Sequence, residues 1–275
     1  MRSHDRFVRE ARVISAFFVL GYRLAISYPM SFAMNQLGIV LPVVTFYFVS
    51  KLVPGVSGTA NGGDYFTFVV LGLVATNVLM AGLQSFGREL DLAVQQGRFE
   101  MLLAEPVGWK LLPIGLATWP AVWRLASSAS VIAVSALMGA RYDWSGLGFA
   151  VLIALLGSIA GLSIGVLSGG LRVLSKRSDP ILALYTLAGS VVGGVFFPVE
   201  LIPGWLRWAS FLVPQTYLAA GLRGALTPAT TPGGPSVAEA ILGLACFAAV
   251  LLPLSLWLFE RWLDVGRRVG VLGSY

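Results

Sequence analysis

The chain has 275 residues, 57% of them hydrophobic and only 12% charged, with 19 Lys and Arg against 13 Asp and Glu. A soluble domain carries about 25% charged residues, so this is an integral membrane protein with no room for a large soluble domain beside several spans. Cys246, alone in an apolar run, excludes an internal disulfide, and a single His4 in a charged terminus argues against a histidine-based metal site or proton relay. The net charge of +6 does not call for nucleic acid, because its distribution reads as a topology signal.

The first residues, MRSHDRFVREAR followed by VISAFFVLGY, have the outline of a signal peptide. However, Asp5 and Glu10 dilute the basic part, Arg23 follows directly, and no small-residue cleavage site is present. Phe7, Ala11, Ile14, Phe18, Tyr22 and Ile26 recur every three or four residues, with Arg2, Asp5, Arg6, Arg9 and Arg12 mostly elsewhere. That spacing predicts an amphipathic helix over 1–27 lying on the inner membrane surface. A seventh short span or a disordered start is the alternative.

Six apolar segments follow, near 29–49, 66–86, 117–138, 149–171, 181–197 and 238–259. With both termini in the cytoplasm, 14 Lys and Arg fall inside and only Lys51, Arg141, Arg207 and Arg223 fall outside or at the outer edge. The opposite orientation would invert this bias, so the positive-inside rule sets the topology. The expected fold is an all-α integral membrane protein with six transmembrane helices, an N-terminal amphipathic interface helix and both termini cytoplasmic.

Between the second and third segments lies GRELDLAVQQGRFEMLLAEPVGWK (87–110), the longest cytoplasmic loop and the one with balanced charge. Gly97 and Pro106 bracket a short helical stretch in which Phe99, Leu102 and Leu103 form an apolar patch beside Glu100. Isolated short helices are marginal in water, so this stub should dock, either onto a partner or onto the chain's own helices.

Arg124 sits about a third of the way into the third segment. An Arg near a helix centre costs roughly 2.5–3.5 kcal/mol on insertion scales, and no acidic residue lies in a span core. Arg124 is therefore expected to snorkel, to bind backbone or lipid head groups, or to face a cavity. The other polar groups at depth are Asn35, Gln36, Thr45, Thr76, Asn77, Ser127, Ser128 and Ser130, none of which titrates. Ion-coupled carriers usually place Asp, Glu or His in the membrane, so the energy for any transport must come from elsewhere. The chain has no G-x-x-x-x-G-K-[ST] loop to bind ATP in the P-loop manner. It also lacks any nucleophile–base pair.

The fourth segment carries Gly157, Gly161, Gly165 and Gly169. This small-xxx-small series lets helix backbones approach closely, either within the subunit or at a dimer or pathway seam. The fifth segment ends at Pro198 after 17 residues, where a bilayer crossing needs about 20. The chain stays apolar beyond it but is broken at Pro198, Pro203 and Pro214, with Trp205 and Trp208 between the breaks. Proline interrupts helices and tryptophan favours the membrane interface. A broken hairpin dipping into the outer leaflet is expected before the last span, with an ordinary interfacial loop as the alternative.

Taken together, the chain resembles an ABC-2-type transporter permease, the membrane subunit of an ATP-binding-cassette exporter. The resemblance covers nearly the whole length: the amphipathic start, six spans, GRFEMLLAEP, the block GGVFFPVELIPGWLRWASFLVPQTYLAAGLR and the tail RRVGVLGSY. It implies one ABC-2-type transmembrane domain over 1–275, with a coupling loop over 87–113 and an external re-entrant hairpin over 198–226. Gly97, Phe99, Glu100, Leu102, Leu103 and Pro106 would form the coupling helix, seated on a separate ABC ATPase, and the amphipathic start would be a gate helix beside it. Phe196, Phe197, Pro198, Pro203, Trp205 and Pro214 would form the hairpin and gate. Phe46, Tyr47 and Phe48 would line or close the pathway with them, and Arg124 and Asn77, like Phe46 and Tyr47, are candidates for the pathway or for structural pairing. The chain itself would hold no catalytic site, metal or cofactor, with ATP and Mg²⁺ bound by the partner ATPase. A second permease chain, as homodimer or heterodimer, and membrane lipid complete the expected partners. The implied activity is export of a hydrophobic or amphipathic substrate (a drug, antibiotic or lipid) across a bacterial cytoplasmic membrane. Export of a lipid-linked polysaccharide is the alternative, and a secondary carrier or a non-transport scaffold stands further off.

Overall fold

A computed structural model describes residues 2–52, 65–95, 111–175, 180–227 and 234–268, and among these every regular element is a helix. Helix α1 (Arg2–Ser27) is separated from α2 (Pro29–Leu52) only by Tyr28. Pro29 opens α2, where a missing N–H costs nothing and the fixed φ suits a first turn. Next come α3 (Tyr65–Gln95) and α4 (Leu111–Leu137), then a 3₁₀ turn (Trp144–Gly146) leading into α5 (Leu147–Ser175). The chain continues through α6 (Pro180–Val192), a second 3₁₀ turn (Val199–Leu201), α7 (Gly204–Ser210) and α8 (Pro214–Leu226), and α9 (Val237–Arg268) ends the described part.

Among the described residues, five stretches are long and apolar enough to cross a membrane: Ala33–Leu52, Tyr65–Gly87, Pro113–Leu137, Trp144–Leu171 and Val237–Val265. Helix α6 is not among them. Its 13 residues span about 20 Å at ~1.5 Å per residue, short of the ~30 Å hydrocarbon core. The apolar run of 181–197 therefore overstates the helix, which stops at Val192, five residues before Phe197. Gly193 and Gly194 follow, and Gly194 has φ +67, a left-handed conformation that glycine adopts freely. At the other extreme, α3 runs past the 66–86 segment, so residues 87–95 of the predicted coupling loop continue a helix.

The fold is organised around α3. Phe66, Val70, Leu71, Val74, Val78, Leu79, Leu83 and Phe86 are all buried along it. Helices α4, α5 and α8 pack against α3, and α9 covers α5 and α8. Close approach in this layer depends on glycine. A Cβ on Gly82 would lie 2.1 Å from the Ser158 carbonyl oxygen, and one on Gly161 would lie 2.3 Å from that of Leu79. Phe86 meets Phe259 edge to face at 5.1 Å, which ties α3 to α9. Helix α1 lies on α4, where Phe18 and Tyr22 each meet the Trp119 ring at 5.4 Å. Ile26, predicted on the same stripe, is exposed. Helix α2 is the least buried of the membrane-length helices, with Val43 its one buried hydrophobic among the described residues.

Candidate functional site

The first polar cluster joins α3 and α4. Arg124 stands near the middle of α4, deeper than its place in the apolar segment suggests, because the helix starts at Leu111. Its Nη1 donates to Asn77 Oδ1 at 3.0 Å, and Nη2 makes a long contact of 3.5 Å to Gln84 Oε1. Asn77 Nδ2 donates in turn to Ser128 Oγ at 3.0 Å, and Ser128 Oγ donates to the Arg124 carbonyl at 2.9 Å. Asn77 and Ser128 are buried. Arginine presents several donors in a rigid fork, and amide oxygens on the neighbouring helix accept them. The structure thus places Arg124 and Asn77 in contact. Two residues beyond Ser128, Ser130 Oγ of α4 accepts from Gln36 of α2.

The second cluster surrounds the chain reversal after α6. Arg223 of α8, which the charge bias places outside or at the outer edge, is buried within the chain, only 5% exposed. Its guanidinium is held by three backbone carbonyls: Nε donates to Phe68 at 3.2 Å, Nη1 to Gly194 at 2.8 Å and Nη2 to Val195 at 2.8 Å. Its Cζ also lies 3.4 Å from the Phe68 ring centroid, a cation–π placement. Gly72 makes room for this, since a Cβ there would lie 2.2 Å from the Val195 carbonyl oxygen and 2.8 Å from Arg223 Nη2. Two turns back along α8, Gln215 Nε2 donates to Thr76 Oγ1 of α3 at 2.8 Å. Sequence reasoning missed both ties. The one signal was a Gln and an Arg in an otherwise apolar, small-residue helix.

The aromatic residues expected at the gate come together in part. Phe46 of α2 stacks on Phe196 at 5.5 Å with 21° between ring planes. Tyr47 meets Phe66 of α3 edge to face at 5.5 Å, whereas Phe48 is exposed. Phe197 is half-buried beside Phe196. Pro198 and Pro203 stand at the N-caps of the second 3₁₀ turn and of α7, and Pro214 opens α8. Trp205 and Trp208 point away from the bundle, 75% and 63% exposed. Leu201 and Leu212 are exposed on the same hairpin. Arg207 donates to the Glu200 carbonyl at 2.6 Å and so braces the bend between the 3₁₀ turn and α7.

Of the glycine series, Gly161 and Gly165 face the Leu79 and Leu83 carbonyls of α3, and Gly157 faces the Leu218 side chain of α8. Gly169 is buried too. Three of these contacts lie within one chain. Gly97, Phe99, Glu100, Leu102, Leu103 and Pro106 fall outside the described residues.

These helices, apolar over membrane-spanning lengths and joined by internal polar ties, define a multi-pass membrane protein. The sequence profile described as "ABC-2 type transporter" matches residues 13–227. The chain belongs to that family, and it is a membrane transport subunit. It is similar to the inner membrane transport permease YadH of Escherichia coli K12, with 28% identity over 192 residues, covering 67% of this chain and 73% of the relative. The proteins of the same name from Escherichia coli O157:H7 and Shigella flexneri match at the same 28% identity and the same coverage.

Proposed function

We propose that the chain is the permease half of an ATP-driven exporter, carrying a hydrophobic or amphipathic substrate such as a drug, an antibiotic or a lipid out across a bacterial cytoplasmic membrane. Family membership over 13–227 carries the reading. The composition of the spans supports it: acidic residues occur only at span ends, as with Glu239, Glu260 and Asp264 in the last. A protein without a titrating group at depth is poorly equipped for ion coupling. ATP and Mg²⁺ would be held by a separate ATPase, onto which the 97–106 segment docks through Phe99 and Glu100. Two permease chains would pair with two ATPases. Helix α6 together with the turn after it would form a short sixth crossing, both termini would be cytoplasmic, and α1 would lie along the inner surface. ATP would act by binding one conformation better than the other.

Purification of the chain in mild detergent from its native host, followed by mass spectrometry, tests this reading. A stoichiometric companion with a P-loop is expected, lost when Phe99, Leu102 and Leu103 are replaced by Ser. A homo-oligomer without any ATPase would overturn it. Glu100→Arg is expected to abolish ATP-driven export while membrane insertion stays normal, and normal export by that variant would sink the coupling assignment.

A further inference from the structure

The residues around Arg223 say which parts of the molecule move together. The turn at 193–197 has little structure of its own: α6 ends at Val192 and Gly194 is left-handed. It is held from outside. Arg223 on α8 grips the Gly194 and Val195 carbonyls with one end of the guanidinium and the Phe68 carbonyl of α3 with Nε. Gly72 lets the turn lie directly on the α3 backbone. One buried side chain thus fastens three pieces of chain to each other through three bonds. Buried polar groups of this kind are costly to leave unpaired, so the three pieces separate only at considerable expense. Phe196 belongs to the same turn, and across from it stands Phe46 on α2. The link to α2 is of another kind: Val43, with Ile39 and Val40, packs into the apolar core, Phe46 stacks on Phe196, Tyr47 meets the Phe66 ring and Gln36 makes one hydrogen bond. Apolar and ring contacts slide and re-form without stranding a polar atom, unlike the three bonds of Arg223.

The geometry points to Arg223 as a positioning residue of the transport cycle. It locks the 193–197 turn to α3 and α8 as one body, so that the seam that opens is Phe46 against Phe196. The inference rests on the transport reading above, because it assigns a moving seam to a transport subunit.

The test uses the full chain with its companion ATPase in lipid nanodiscs, with the exposed Cys246 replaced by Ser. One sample carries spin labels at Phe48→Cys and Leu201→Cys, which reports across the seam. A second carries them at Trp144→Cys and Leu201→Cys, which reports within the body. Phe48, Trp144 and Leu201 are exposed, and the Asp143 N–H joins this region to the α8 end through the Leu226 carbonyl at 2.8 Å. On ATP binding, the 48–201 distance is expected to shift while the 144–201 distance stays fixed. In Arg223→Lys, which keeps the charge but cannot reach three carbonyls, the 144–201 distribution is expected to broaden even without nucleotide. A 144–201 distance that shifts as far as 48–201, or a 48–201 distance that never shifts while ATP is hydrolysed, would overturn the inference, as would an unbroadened 144–201 distribution in Arg223→Lys. If Arg223→Lys fails to insert, the two wild-type distances decide. Absence of any companion ATPase would count against the transport reading, and the Arg223→Lys width would still judge the lock.

Discussion

An arginine inside an apolar bundle keeps its charge only if enough acceptors converge on it. Arg124 and Arg223 solve this in different ways. Arg124 uses side-chain amides on one neighbouring helix, Asn77 and Gln84, while Arg223 uses main-chain carbonyls from two elements. Side-chain partners can be removed one at a time, which makes the first case measurable. Arg124→Met should strand the buried Asn77 carbonyl and cost about 1–3 kcal/mol, seen as a lower thermal unfolding midpoint in detergent. Asn77→Leu in the same chain should restore part of the loss, since the stranded acceptor is gone. If the double variant loses the plain sum of the two single losses, Arg124 and Asn77 are not coupled.

At the scale of helices, the seam between α3 and α5 is made by backbone rather than by side chains. Gly82 and Gly161 are each within 2.3 Å of a facing carbonyl, counted from where a Cβ would stand. Gly148, on the same α5, has nothing within 4 Å of that point. Gly161→Ala should therefore force α3 and α5 apart and cost about 1–3 kcal/mol as overpacking does, whereas Gly148→Ala should leave the protein unchanged. The yield of monodisperse protein on gel filtration reads both, and equal yields would mean that the seam is looser than the structure has it. The spacing of Gly157, Gly161, Gly165 and Gly169 was legible from sequence, but not the choice between an internal and an intermolecular seam, because both use the same small residues. Pro203 and Pro214 stand at the starts of α7 and α8, yet α6 ends earlier than its apolar run. Val195, Phe196 and Phe197 are as apolar as a helix core, and hydropathy does not register a glycine turn held by an arginine from 28 or 29 residues away.

For the molecule as a whole, the apolar segments located every membrane-length helix among the described residues but could not rank them. Helix α3 at the centre and α9 at the edge are both apolar enough to span a membrane, since lipid and protein interior make similar demands on side chains. Only the contacts of Phe66, Leu71, Leu79 and Phe86 single out α3. The charge bias still predicts which side each end faces. In a Cys246→Ser background, Asp264→Cys should react with an impermeant maleimide only in inside-out vesicles, and Leu201→Cys only in right-side-out cells. Labelling of both from one side would refute the proposed topology.

The bond from Arg223 to Phe68 also has a consequence for how the protein is made, because its two ends lie 155 residues apart. At about 5–20 residues per second, roughly 8–30 s of synthesis separate the emergence of Phe68 on α3 from that of Arg223 on α8. During that interval Thr76 waits for Gln215, and the Phe68 carbonyl and Gly72 face a site still empty of chain. Helices α4 and α5 arrive earlier and can shelter the Asn77 and Gly82 faces. The α8 face stays open until nearly the end, so a chain cut short before Pro214 would present an unfinished central helix to whatever machinery inspects the membrane.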